Sequence, residues 1–249
     1  MTWATIWATP GSLTVTATVC FACRVTTRVR RRAYAVSLRG HGKSEGRQEL
    51  EAASFSDYIE DIRNFITKLG APPVAVGHSL GGLIVQRLID RVPLRGIVLM
   101  ASAPPEGISM VGTGLMTTGL AMMIDNFQRT VPGKADSRID VWRHALFSDA
   151  LPAKRVAQFA SRMGPESLRA LSEARIPGLI VSARSAKIPA LVLSADADVI
   201  IKHAMARRTM HYHGATFRKV AGSGHAMMLD VKWKEAAKLI RQWLDESKI

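Results

Sequence analysis

Cysteine is almost absent from this 249-residue chain, acidic residues are outnumbered, and the first 44 positions contain no acid at all. Cys20 and Cys23, the only two cysteines, would close too small a loop to staple a domain of this length. A disulfide scaffold is therefore excluded, and a reducing compartment, hence a cytoplasmic location, is expected. Their spacing matches half of a redox or metal site, but no second cysteine pair exists to complete four ligands. Two ordinary strand cysteines and no metal are expected.

The shortage of acid is local. Lys and Arg number 34 against 20 Asp and Glu, giving +14, yet residues 1–44 alone hold seven basic residues. Arg28, Arg30, Arg31 and Arg32 fall together there. Such a cluster could attract nucleic acid or anionic lipid. No nucleic-acid reader motif accompanies it, so a solvated basic edge and no specific nucleic-acid partner are expected.

Charge is missing altogether from residues 1–23. A secretory signal needs basic residues before its apolar stretch, whereas here they follow it. Pro10, Gly11 and six threonines weaken a spanning helix, so no membrane anchor is expected. Between Leu13 and Val19 apolar residues and threonines nearly alternate, as in a half-buried strand. With 47% apolar and 22% charged residues the chain is neither a disordered polyelectrolyte nor a fibre, and its length suits one domain or one domain with an insertion. No internal repeat is visible.

From residue 33 onward, short β-branched runs alternate with helical patterns, which predicts βαβ units and a parallel sheet. Ala33–Leu38, Val74–Val76, Ile97–Met100 and Ala190–Leu193 read as strands. A helix capped by Ser56 or Asp57 would place Ile59, Ile62, Phe65, Ile66 and Leu69 on one face and end before Gly70 and Pro72. Leu80, Leu83, Ile84 and Leu88 mark a second helix; Trp233, Ala237, Ile240 and Leu244 mark a C-terminal one.

The junction Gly77-His78-Ser79-Leu80-Gly81-Gly82 carries the chemistry. It joins a buried strand to an amphipathic helix without a spacer, so Ser79 is forced into a strained turn while flanking glycines allow close approach. This Gly-x-Ser-x-Gly arrangement is a nucleophile elbow, with the Leu80 amide aimed at a developing oxyanion. The plainer alternative is a turn of small residues.

Here the chain resembles the α/β-hydrolase superfamily, over about residues 34–249. Tyr34–Gly46 (YAVSLRGHGKSEG), the elbow, Leu191–Ile201 (LVLSADADVII) and Gly222–Asp230 (GSGHAMMLD) are similar, in order, to the family's loop before the elbow helix, its elbow, its acid loop and its histidine loop. The resemblance implies an α/β fold with a mostly parallel sheet flanked by helices and a helical lid insertion. The implied organisation is a core of residues 33–106 and 189–249, a lid at 107–188, and an atypical segment at 1–32 that resembles no part of the fold. It also implies a triad of Ser79, Asp198 and His225, in the Ser, acid, His order of that fold.

A serine hydroxyl is a poor nucleophile until an imidazole accepts its proton. Of seven histidines, His41 and His78 read as structural neighbours of the site, His144 and His203 fall in helical patterns, and His211 and His213 alternate along a stretch that reads as exposed. His225 lies in a glycine-flanked loop from which it can reach across the sheet edge. Asp196 and Asp198 both follow the Ala190–Leu193 strand; the family register selects Asp198, although Ser194 stands where the family usually has glycine.

The related dehalogenases and epoxide hydrolases carry a carboxylate at the elbow, so Ser79 points instead to acyl transfer through an acyl-enzyme, which needs no cofactor. A small hydrophobic ester or monoglyceride is the expected small-molecule substrate, with a carbon–carbon bond hydrolase or cofactor-free perhydrolase as the alternative. Residues 107–124 carry no charge. Met110, Leu115, Met116, Met122 and Met123 there could line an acyl pocket, or belong to a plain buried helix. The family's His-Gly loop, whose amide is the second oxyanion donor, has no counterpart before His41. An incomplete oxyanion hole is the consequence, and a hydrolase-like binding protein with impaired turnover is the reading from another class. Gly11, after Pro10, is the one glycine placed to substitute.

Overall fold

A computed structural model of the chain describes residues 17–25, 30–108 and 135–249, apart from 163, 177, 179 and 181. Among them, strands β1 (Ala17–Val25), β2 (Arg30–Val36), β3 (Val74–Ser79), β4 (Gly96–Met100), β5 (Ala190–Ala195) and β6 (Thr216–Val220) form one sheet in the order β2-β1-β3-β4-β5-β6. β3 through β6 pair in parallel. β1 pairs antiparallel with both β2 and β3, so β2 runs in the same direction as β3. The fold is α/β with a mostly parallel sheet, as the βαβ pattern predicted.

Strand alternation explains why the sheet is buried on both sides. Ala75, Ile97, Leu99, Ala190 and Val192 face one core. Val74, Val76, Val98, Met100, Leu191 and Leu193 face the other. A strand with both faces covered reads as a continuous apolar run, which is why β3, β4 and β5 stood out in the sequence. Onto the first face pack α1 (Phe55–Thr67), α2 (Leu80–Arg87), α5 (Leu168–Glu173) and α6 (His203–His213). Onto the second pack α3 (Ala135–Leu146), α4 (Ala153–Ala160) and α7 (Trp233–Glu246). The described helices of the 107–188 stretch thus contribute to both cores.

Several expectations are corrected in detail. The expected boundary between residues 32 and 33 falls inside β2, and residues 17–25 are a strand between β2 and β3. Helix α1 is capped by Ser54, not by Ser56 or Asp57. Asp57 is the third helical residue and completes a reciprocal box: its N–H donates to Ser54 Oγ (3.0 Å) and its carboxylate accepts from Ser54 N–H (2.8 Å). The hydrogen bonds that Ser54 N–H and Oγ–H donate to this carboxylate hold Asp57 below the usual carboxylate range. In α7 the buried stripe is Ala236, Ile240, Trp243 and Leu244, so Trp243 takes the core place and Trp233 is half-buried.

The largest correction concerns His213: it lies with His211 in the last turn of α6, and only His211 is exposed as expected. His213 is buried. Its Nε2–H donates to Gln86 Oε1 (3.0 Å) and its Nδ1 accepts from Ala183 N–H (3.1 Å), a pairing that suits only the neutral ring. Burial pushes its pKa down to about 4.

Because the folded value lies below the unfolded value near 6.5, the unfolded chain binds the extra proton as pH falls. The contribution is whole above about pH 6.5 and is lost between there and about pH 4, amounting to about 3 kcal/mol. Urea unfolding of wild type and His213→Gln across that range should show a shallower pH slope in the variant; parallel slopes would contradict the assignment.

Candidate active site

Strand β3 ends at Ser79 and α2 begins at Leu80, with no residue between. Ser79 sits at φ 53°, ψ −119°, a left-handed backbone that costs an L residue about 1–3 kcal/mol. The surroundings hold it there. Ser79 C=O accepts from Ala103 N–H at 3.1 Å. A Cβ on Gly77 would lie 2.3 Å from the Gly81 carbonyl oxygen, so strand and helix meet backbone to backbone.

Beneath the turn, Gln86 Nε2 donates to Ser102 Oγ and to Ala103 C=O, both at 2.9 Å, while Gln86 Oε1 accepts from His213. The buried amide thereby fixes α2 to the segment that holds Ser79. Leu80, as the first helical residue, has an N–H without an intrahelical acceptor, next to the serine.

His225 follows β6 in the loop Gly222-Ser223-Gly224, and it is buried. Its Nδ1 lies 2.8 Å from Asp198 Oδ2. Asp198 Oδ1 accepts from the N–H groups of Ile200 and Ile201, each at 2.8 Å, so both carboxylate oxygens are engaged. Ala197 N–H donates to Ser223 C=O (3.0 Å), joining the acid loop to the histidine loop.

Asp196 is exposed and accepts from Gly222 N–H at 2.7 Å, a contact with the loop backbone, whereas the imidazole meets Asp198. His78, immediately before the serine, donates Nε2–H to His225 C=O at 2.9 Å, and the two rings are 4.7 Å apart. The structure therefore brings Asp198 and His225 together and fastens the His225 main chain to the elbow.

His41 is buried, and its surroundings show what it does. Burial disfavours a charged ring, yet the facing Glu166 leaves the imidazole above its ordinary range. Nδ1–H donates to Arg39 C=O (2.9 Å), and Nε2 lies 3.3 Å from Glu166 Oε1, which also accepts from Tyr58 O–H at 2.6 Å. This buried group ties the Arg39–Ser44 loop and α1 to the chain entering α5. Gln86 and Glu166 carried no sequence signal, because a single polar residue in an apolar pattern does not announce its partner.

Met110, Leu115, Met116, Met122 and Met123, like Gly11, lie outside the described residues. A cleft of about 650 Å³ opens elsewhere, between the end of β2 and α1, and Arg39, Asp57, Asp61 and Phe65 border it. Among the described residues no group of His, Cys, Asp and Glu is arranged to hold a metal ion, and no helix is long and apolar enough to cross a membrane.

The sequence pattern of the Alpha/beta hydrolase family matches residues 5–239. The chain belongs to that family. No curated protein sequence matches this family member. Several solved structures share its fold. A Mycobacterium tuberculosis H37Rv protein described as a non-heme bromoperoxidase aligns at TM-score 0.69 and 18% identity, covering 88% of this chain and 82% of its own. An esterase from Exiguobacterium antarcticum aligns at 0.63 and 17%, covering 88% and 82%. The enol-lactonase from Burkholderia xenovorans LB400 aligns at 0.64 and 18%, covering 86% and 81%. At such identities the likeness speaks for the fold alone.

One strand of this hydrolase has a direction that bears on the site. β1 enters the sheet at Ala17, opposite Ser79, and leaves at Val25, beyond the start of β3. Val25, the last residue of β1, therefore lies at the end of the sheet away from the serine.

The contact of Gly77 with Gly81 gives a direct check on the elbow. Gly77→Ala should force the strand and helix apart and lower stability by about 1–3 kcal/mol. A thermal melt measures this; an unchanged midpoint would mean that the junction is looser than described.

Proposed function

We propose that this chain is a serine hydrolase that cleaves a carboxylic ester through an acyl-enzyme, with Ser79 as nucleophile, His225 as general base and acid, and Asp198 as the group that orients the imidazole. The observation that carries the reading is the 2.8 Å contact of His225 Nδ1 with an Asp198 carboxylate whose other oxygen is already occupied by two amides. With Nδ1–H donated to Asp198, Nε2 keeps its lone pair and can take the serine proton. His78, fastening His225 C=O to the residue before Ser79, supports the same arrangement.

In this scheme Ser79 Oγ attacks the ester carbonyl as its proton passes to His225 Nε2. The tetrahedral oxyanion is stabilised by Leu80 N–H at the start of α2, and the imidazolium then protonates the departing alkoxide. Water, deprotonated by the same imidazole, releases the acid. A hydrophobic acyl group or monoglyceride is the proposed substrate class, with residues 107–188 as lid and Met110, Leu115, Met116, Met122 and Met123 as lining. An oxyanion hole built chiefly on Leu80, and hence slow turnover, belongs to the same proposal; loss of one donor costs roughly 10²- to 10³-fold.

A fluorophosphonate probe followed by peptide mass mapping should label Ser79 and no other serine in the folded chain. Adduct elsewhere would overturn the nucleophile. Asp198→Asn should then cut p-nitrophenyl ester hydrolysis by about 10²- to 10⁴-fold, whereas Asp196→Asn, which touches only the Gly222 amide, should cost less than about tenfold. Equal losses, or the reverse ranking, would remove Asp198 from the scheme.

A further inference from the structure

Asp230 is fully buried and has no part in the reaction scheme above. A buried carboxylate is costly unless its lone pairs are occupied, and here each oxygen accepts two hydrogen bonds. Oδ2 takes the N–H groups of Ser148 and Gly224, both at 2.7 Å. Oδ1 takes Ser148 Oγ–H at 2.8 Å and Val231 N–H at 2.7 Å. All four donors are neutral, and they belong to two separate segments: the turn after α3 and the loop around His225.

We propose that Asp230 is a positioning residue for His225, clamping the histidine loop to the end of α3 so that the imidazole stays against Asp198; this rests on the reading of Ser79, Asp198 and His225 given above. The residues on either side of His225 are both held by that turn. Gly224 N–H reaches it through the shared Asp230 oxygen, and Ala226 N–H donates directly to Leu146 C=O at 2.8 Å.

The two backbones are also in contact, since a Cβ on Gly224 would lie 2.5 Å from the Phe147 carbonyl carbon. With His225 C=O taken by His78, the loop is fixed from three sides. The Asp230 carboxylate spans the gap from Gly224 to Ser148. Removing it strands the Gly224 and Ser148 amides in a buried site and frees the segment immediately before the imidazole. Misplacement of a catalytic group by about 1 Å costs on the order of 10²-fold in rate.

The test uses the full chain as wild type, Asp230→Ala and Ser148→Ala. The first readout needs no substrate: the downfield ¹H resonance of the His225 Nδ1 proton shared with Asp198. It should be lost or broadened in Asp230→Ala under conditions where far-UV circular dichroism matches wild type. The second readout is p-nitrophenyl butyrate hydrolysis, where kcat should fall roughly 10- to 100-fold with KM within about threefold.

Ser148→Ala removes one donor and keeps the amide bridge, so it should shift the resonance and lower kcat several-fold. That variant decides the matter if Asp230→Ala does not fold. A folded Asp230→Ala or Ser148→Ala with the wild-type resonance and kcat would overturn the proposal. If wild type shows the resonance and the variants lose it, yet wild type hydrolyses no ester, the positioning role stands and the ester reading falls.

Discussion

The backbone of one residue constrains the rest of the site. Because β3 passes into α2 with nothing between them, Ser79 must take a left-handed turn, and that turn persists only where its neighbours leave it no alternative. The Gly77 and Gly81 backbones touch beneath it, Ala103 N–H holds its carbonyl, and the Gln86 amide braces the segment that carries Ala103. Each of these contacts is buried, and in combination they offset the strain at Ser79.

A second regularity is the use of buried carboxylates as fasteners in a chain of net charge +14. Asp198, Asp230 and Glu166 are each buried and each accept from backbone amides. Cations such as Arg39 and Arg208 instead pair with Asp61 and Glu106 on exposed or half-exposed surface. The cationic surface and the buried carboxylates do different work. The first bears on solubility and encounter, the second on the placement of loops at the carboxyl ends of the strands.

Much of this was legible in the sequence, and the reason differs from residue to residue. Strands β3, β4 and β5 announce themselves because burial on both faces demands unbroken apolar runs, and the elbow because glycine is required where backbones touch. Asp198 was separable from Asp196 only through family register. The fastening roles of Glu166, Gln86 and Asp230 were not legible, since their partners lie far along the chain and a polar residue in an apolar stretch looks alike whether it is satisfied or a surface residue out of pattern. The same ambiguity hid His213: an alternating His-Tyr-His reads as exposed throughout until the helix that buries one ring and exposes the other is known.

The reversed direction of β1 has a consequence for the order in which the chain can assemble. β2 carries the Arg39–Ser44 loop, but in the sheet it touches neither β3 nor any strand beyond; β1 lies between. β1 and β2 are antiparallel neighbours in sequence, so their pairing closes only a short loop, whereas β3 to β6 require longer crossovers. Two units can therefore form independently, a local hairpin and a parallel sheet around the elbow, and the seam between β1 and β3 is where they join. Ser79 sits at one end of that seam, paired with Ala17. The edge that a nascent parallel sheet would otherwise expose beside Ser79 is closed by the docking hairpin.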